Sequence, residues 1–396
     1  MNIIKNFILL SLISLSINAN AQWTACNNPS GTLPFSLEIY KDTIYLGTVG
    51  SGIYRSIDGG NSWTEINNGI TSMQIWTVNH IGNTLFASST AGKVFKSIDG
   101  GNNWVLSNTG ISPTTIVRKF ASFSGKIFAT TSNTGVIISS DNGSTWIQHN
   151  TGIGGLVSEP LLVVENDLFV GVNQQVYKYD VGNQNWINKS NGLPNNSVGS
   201  FTYIKDNLQN ITLFEGNANS NDVSKSINGG DNWIIADNGL PNVGVWSLLG
   251  ISTNVFAGND YGVYQTTDQG ANWTDISGFN GASPAKFLTK SSTDLYVIQG
   301  AKLWKKSLSS LGITGISDLI ITQEINIFPN PVKDRIFLNS KFQNVDYEII
   351  NASGIKVLSG KLNSESINIS SLNYGLYLII FTTSDNKKIQ SKIIKE

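Results

Sequence analysis

Apolar and polar residues alternate with a period of two along most of the chain, in segments of four to seven residues broken by glycine and asparagine. No useful stretch carries the 3.6-residue period of an amphipathic helix, so the pattern predicts an all-β protein. The segments recur. One column reads TIYLG, TLFAS, KIFAT, DLFVG, TLFEG, VFAG and DLYVI, and a second reads GIYRS, KVFKS, GVIIS, QVYKY, DVSKS, GVYQT and KLWKK. After six copies of the second column comes a polar turn ending in tryptophan: Trp63, Trp104, Trp146, Trp186, Trp233 and Trp273, spaced 41, 42, 40, 47 and 40 residues apart. Four strand-sized segments per unit and a period near 40 predict propeller blades, and seven copies predict seven of them. The seventh copy, at Lys302, has no tryptophan strand after it. The segment QWTACNNPSG at Gln22 reads like SWTEINNGI at Ser62 and is expected to supply that strand, placing Trp23 in the last blade.

The turn itself is S-x-D-x-G-x-[S/T/N]-W. Its copies are SIDGGNSW (Asp58, Trp63), SIDGGNNW (Asp99, Trp104), SSDNGSTW (Asp141, Trp146), SINGGDNW (Asn228 in the Asp place, Trp233) and TTDQGANW (Asp268, Trp273), with a stretched YDVGNQNW before Trp186. The carboxylate can accept backbone N–H groups of its own turn, the glycines permit positive φ, and the indole packs on its blade. These residues resemble the Asp-box, or BNR repeat, of bacterial sialidases, xyloglucan-degrading propellers, sortilin-type receptors and photosystem II assembly-factor propellers. The resemblance covers Gln22 to Ser310. It implies a hairpin on the face away from any substrate, so the motif is expected to be a structural turn.

Beyond Leu311 the period stops. Residues 311–324 read as a linker, and 325–396 as a small Ig-like β-sandwich of alternating segments split by turn residues. FPNP (Pro329, Asn330, Pro331), the Gly354 turn, GLYLI (Gly375, Tyr377) and the basic end resemble the type A C-terminal sorting domain of the type IX secretion system of Bacteroidetes. The resemblance implies that the secretion machinery is a partner, that the chain is carried across the outer membrane, and that it is released or attached to the surface. At the other end, Lys5, the apolar run FILLSLISLSI and ANA at Ala19–Ala21 predict a signal peptide over 1–21, cleaved before Gln22.

Composition narrows the function. Charged residues are 13% and the net charge is −1, which gives no basis for nucleic-acid binding. One cysteine and two histidines predict no metal site and no cofactor, and no run is long enough for a membrane span. The three arginines are Arg55, Arg118 and Arg335, so the arginine triad of a sialidase cannot be assembled in the propeller. A xyloglucanase-like enzyme needs two facing carboxylates. Glu159 and Asp260 are candidates, though nothing in their spacing marks them. The residue eight before the strand that begins at Thr43, Thr84, Lys126, Asp167, Asn254 or Asp294 gives Phe35, Trp76, Arg118, Glu159, Trp246 and Lys286, with Gly199 the approximate match in the blade that carries an insertion. Two residues on, the set is Leu37, Val78, Phe120, Leu161, Phe201, Leu248 and Leu288, uniformly apolar and expected to be core. The first set varies from blade to blade, as a binding surface requires. Trp76, Trp246, Arg118, Glu159 and Lys286 are therefore the candidate ligand contacts of a non-catalytic binding module, with a carbohydrate-active enzyme as the alternative.

Overall fold

The computed structural model describes residues 22–194, 198–206, 208–220, 222–278, 283–313, 327–338, 345–351, 355–362, 366–382 and 388–396. The chain divides into two compact units, 1–313 and 314–396. Among the described residues the first unit holds seven open four-stranded antiparallel sheets, the blades of a β-propeller. In blade one the strands run Pro34–Tyr40, Thr43–Thr48, Ile53–Ser56 and Thr64–Glu65 from the inside outwards, and blades two to six repeat that order. Blade seven takes its three inner strands from Ala285–Lys290, Asp294–Gln299 and Lys302–Ser307, and its outer strand from Thr24–Ala25. Cys26, Leu37, Leu46, Tyr296 and Leu303 form one cluster, which packs the last blade on the first. Burial pushes the Cys26 thiol up to about 11.

The repeated tryptophan does more than pack within its own blade. Each indole reaches back to the preceding blade and donates Nε1–H to a carbonyl at the end of that blade's outer strand. Trp104 bonds Ile66 O at 2.8 Å, Trp146 bonds Ser107 O at 3.0 Å, and Trp186 bonds His149 O at 2.9 Å. Trp233 bonds Lys189 O and Trp273 bonds Ala236 O, both at 2.7 Å. Trp23 completes the set through Ile276 O at 2.9 Å, and Trp63 bonds Asn27 O of the N-terminal segment. The backbone helps too: Trp104 N and Trp146 N donate to Asn68 O and Thr109 O, each at 2.9 Å. Gly69 and Gly110 follow those carbonyls at φ 91°, where a Cβ would lie 2.0 and 1.9 Å from the carbonyl oxygens of Trp104 and Trp146. No other residue fits there.

The Asp-box turn shares this junction. Within it, Asp99 accepts Ser97 Oγ at 2.7 Å and Asn103 N at 2.9 Å, while Gly101 N donates to Ser97 Oγ at 2.9 Å. Ser139 with Asp141, Ser226 with Asn228 and Thr266 with Asp268 repeat this couple, and Ser56 with Asp58 does so in blade one. These hydrogen bonds hold Asp99 and Asp141 down to about 2. From outside, the basic residue of the preceding blade's third strand bonds the turn. Arg55 reaches Gly100 O, Lys96 reaches Asn142 O, Lys225 reaches Gln269 O, and Lys305 closes the circle on Gly59 O, at 2.8–3.1 Å. Arg55 is thus engaged at the rim, away from the axis.

Rows of side chains crossing each sheet fill the interfaces between blades. Val78–Ala87–Phe95, Leu161–Val170–Tyr177 and Leu248–Ala257–Tyr264 are apolar throughout. Blade five differs, with Phe201–Glu215–Ser224 in the same place. Glu215 is 3% exposed, and burial, with Asp222 nearby, pushes its carboxyl up to about 8. The Ser224 hydroxyl beside it has no hydrogen-bond partner among the described residues.

The second unit sets Ile327–Phe328, Arg335–Leu338 and Ser366–Asn368 in one sheet, and Val345–Asn351, Lys356–Leu362, Gly375–Thr382 and Lys388–Lys395 in another. Ile336, Ile349, Ile379, Phe381 and Ile393 lie in its core. Asn330 ties the FPNP segment to the last strand: its Nδ2 donates to Lys392 O, and its Oδ1 accepts Ile394 N, both at 2.8 Å. Pro329 and Pro331 are exposed, the buried Tyr377 donates its hydroxyl to Asn373 O at 2.9 Å, and Gly375 opens its strand. Gly354 and the leader 1–21 lie outside the described residues.

Two outcomes test this account. Trp104→Phe removes the donor and leaves the Ile66 carbonyl without it, a cost of about 1–3 kcal/mol. In a domain of this size that lowers Tm by several degrees, and deleting residues 22–28 should lower it further. An unchanged Tm in either protein contradicts the clasp. Glu215 carries the second test. Between its ordinary pKa of 4.5 and about 8, the folded chain holds a proton that the unfolded chain has lost. Stability must therefore fall as pH rises through that window. Glu38, pushed up to about 7, contributes with the same sign. Glu215→Gln removes only the first contribution, so its Tm should fall less than the parent's between about pH 5 and about pH 8.

Candidate functional site

Each inner strand skips one register position near its start. The skip falls between Pro34 and Ser36, Ile75 and Thr77, Val117 and Lys119, Val198 and Ser200, and Val245 and Ser247. The residues left unpaired are Phe35, Trp76, Arg118, Gly199 and Trp246, the variable set found by spacing. A β-bulge releases its residue from strict two-sided alternation and re-aims the side chain. Glu159 lies in the corresponding interval between Ser158 and Leu161, and its side chain is outside those described. In blade seven the irregularity comes one step later. Lys286 pairs with Ile298, and Phe287 and Leu288 occupy the bulge, with Phe287 at φ 57°.

The bulges surround an axial cavity of about 400 Å³, lined by the inner strands of all seven blades. The strands begin at this end and run away from it. By the up-and-down order of each blade, the Asp-box turns therefore lie at the opposite end. Four of the five candidate contacts line the cavity: Trp76, Arg118, Trp246 and Lys286. They form two cation–aromatic pairs. The Arg118 guanidinium stands 5.8 Å from the Trp76 ring centre, and Lys286 Nζ stands 4.4 Å from that of Trp246. Phe35 meets Trp76 edge-on at 5.1 Å and tilts towards Phe287 at 5.9 Å. Trp246 remains 39% exposed and donates its indole N–H to Asp260 Oδ1 at 2.7 Å. Asp260 is therefore a partner of the indole at the rim.

The cavity floor serves the ring. An inner strand is a sheet edge with unpaired N–H groups, and here side chains of the preceding blade cap them. Ser36 Oγ accepts Val78 N at 2.8 Å, Asn79 Oδ1 accepts Phe120 N at 3.1 Å, Thr202 Oγ1 accepts Gly250 N at 2.7 Å, and Ser247 Oγ accepts Leu288 N at 3.0 Å. Glu38 Oε1 does the same for His80 N at 3.3 Å. Desolvation dominates its carboxyl and pushes it up to about 7, opposed by Lys119. Leu37, Val78, Leu161, Leu248 and Leu288 are buried and also face the cavity, and the half-buried Phe201 joins them.

Sequence spacing missed Lys119 and Phe287. Both line the cavity because the bulge lets two consecutive residues face it, which a period of two forbids. Arg118, half-buried, has its guanidinium pKa lowered by desolvation. Among the described residues no group of three His, Cys, Asp or Glu side chains is placed to hold a metal ion.

Residues 326–396 match the family of secretion system C-terminal sorting domains. No curated protein is significantly similar to the chain. Solved structures similar to it include YCF48 from Cyanidioschyzon merolae, at 15% identity and TM-score 0.57, covering 72% of this chain and 98% of that one. A virginiamycin B lyase from Staphylococcus aureus is similar at 14% identity and TM-score 0.61, again covering 72% and 98%. An ancestral GH74 enzyme is similar at 13% identity and TM-score 0.57, covering 94% of this chain and 63% of that one. At these identities the likeness is one of fold. The chain is a β-propeller that ends in a secretion system C-terminal sorting domain.

Proposed function

We propose that this protein is an exported, non-catalytic binding module. In this reading the signal peptide takes it to the periplasm, residues 325–396 address it to the type IX secretion machinery, and the propeller is the cargo. The product is then released or held at the outer-membrane surface. The observation that carries the binding role is the contrast between two sets of equivalent positions. The clasp repeats the same chemistry around the ring, whereas the bulge that opens on the cavity carries Phe35, Trp76, Arg118, Gly199 and Trp246 in turn. Packing fixes Gly199, where a Cβ would lie 2.8 Å from that of Ala218, so the variation that supports a ligand surface is that of Phe35, Trp76, Arg118 and Trp246. Rigid aromatic side chains beside cations are also the residues enriched where binding energy concentrates.

A carbohydrate-active enzyme is the second reading. Glu38, beside the lining residue Lys119 and pushed up to about 7 by desolvation, is the described carboxyl that this reading would draw on as a general acid. Hydrolysis of a polysaccharide by the purified protein, abolished by Glu38→Gln or Glu159→Gln, would establish that reading and end the non-catalytic one.

Two measurements test the proposal. Mass spectrometry of the extracellular protein should find Gln22 at the N-terminus and a C-terminus within the linker 311–324. Secreted material ending at Glu396 contradicts processing, and material confined to the periplasm contradicts the route. In a glycan-binding screen, Trp76→Ala combined with Trp246→Ala should weaken the ligand found by about tenfold or more, at least 1.4 kcal/mol. A melting curve shows whether the variant still folds, and full affinity in the folded variant places the site elsewhere.

A further inference from the structure

We propose that the axial cavity receives an anionic saccharide unit, a uronate or a sulfated sugar. This rests on the binding reading above and adds the chemical class of the ligand. The cavity's stacking surface and its charge come together. A ring laid on the exposed part of Trp246 meets Lys286, whose Nζ is 4.4 Å from the indole centre. On the other side, Trp76 carries the Arg118 guanidinium at 5.8 Å and is braced edge-on by Phe35. Lys119 adds an exposed cationic side chain to the lining. The described lining residues thus include the cations Arg118, Lys119 and Lys286, with Asp260 behind Trp246 and Glu38 beside Lys119 as the neighbouring carboxyls.

The other polar groups restrict the choice further. A neutral sugar is recognised through hydroxyls that both donate and accept, so its site needs free acceptors. Several acceptors are already engaged: Ser36, Ser247 and Asn79 accept backbone N–H groups of the next blade, and Asp260 Oδ1 accepts the Trp246 indole. The Lys119 and Lys286 ammonium groups add charged donors to the same lining. A peptide is disfavoured for the complementary reason. Adding a strand to the inner edges would need N–H groups such as those of Val78, Phe120, Gly250 and Leu288, and these are capped. About 400 Å³ suits one or two sugar rings, and concave low-dielectric walls strengthen attraction of an anion.

The test titrates the full mature chain by calorimetry with four probes: an oligogalacturonate, a chondroitin sulfate oligosaccharide, a neutral cello-oligosaccharide and an oligoglutamate peptide. Binding of either acidic saccharide should exceed that of the neutral one by about tenfold or more and weaken with added salt. Comparing the first two probes separates carboxylate from sulfate as the anion. Lys119→Gln with Lys286→Gln should remove that preference without lowering Tm. A neutral oligosaccharide bound equally well, and lost in the Trp76→Ala, Trp246→Ala protein, would overturn the anionic class and leave the pocket standing. Acidic saccharide bound equally by parent, tryptophan and lysine variants would overturn the pocket itself. Tighter binding of oligoglutamate, or no binding of any probe, would also overturn the inference.

Discussion

The architecture rests on one hydrogen bond repeated around the ring, from the indole of each blade to the outer-strand carbonyl of the blade before it. A four-stranded blade has two apolar faces and is not stable alone, so its neighbours must be held at a set angle and distance. The indole does this with one side chain. Its ring fills the junction, its Nε1–H satisfies a carbonyl that the outer strand leaves open, and its backbone N–H takes a second carbonyl from the same turn. The Asp-box behind it is the support, a turn stiffened from inside by the Ser–Asp couple and bonded from outside by Arg55, Lys96, Lys225 and Lys305. Because Trp63 takes its carbonyl from Asn27, the N-terminal segment is a working part of the ring.

Restraint at the rim leaves freedom at the axis. The inner strand is the one edge of each blade that no clasp holds, and its N–H groups are protected by Ser36, Asn79, Thr202, Ser247 and Glu38 from the neighbouring blade. With the edge capped below the bulge, the residue at the bulge is released from strand pairing, though at Gly199 the approach of Ala218 leaves no room for a Cβ. Gly199 can stand where Trp76 and Arg118 stand without disturbing the sheet. That separation of duties lets one scaffold present unrelated side chains around a common cavity.

Glu215 shows the cost of departing from the repeat. The rows of blades two, four and six are apolar at this place, and that of blade five buries a carboxyl and a hydroxyl. Desolvation, with Asp222 nearby, pushes the carboxyl up to about 8, because a desolvated charge is dearer than a neutral acid. Glu38 shares the direction of that shift but has a visible task, the His80 amide, and it faces Lys119.

The blades were legible in the sequence because each is a local unit. Period-two segments, the Asp-box and a spacing near 40 residues report the strand, the turn and the repeat without reference to distant contacts. The sorting unit was legible for the same reason, in FPNP and GLYLI. Spacing also located the variable column, because a bulge at the same place in most blades keeps its sequence offset. Direction and partnership were not legible. Nothing in SIDGGNNW says that Trp104 serves the blade before its own, since Ile66 is brought to it only by the angle between sheets. Lys119 and Phe287 escaped because a bulge breaks the alternation on which strand reading depends. Charge pairing was hidden too: that Lys286 sits over Trp246 and Arg118 over Trp76 depends on strands from adjacent blades converging on the axis. The sequence by itself determined the repeating unit, its turns and its count, which local propensity and periodicity encode. The tertiary structure alone decided which blade each indole holds, which amides are capped and which side chains meet in the cavity, because those depend on distances between residues 36 or more positions apart.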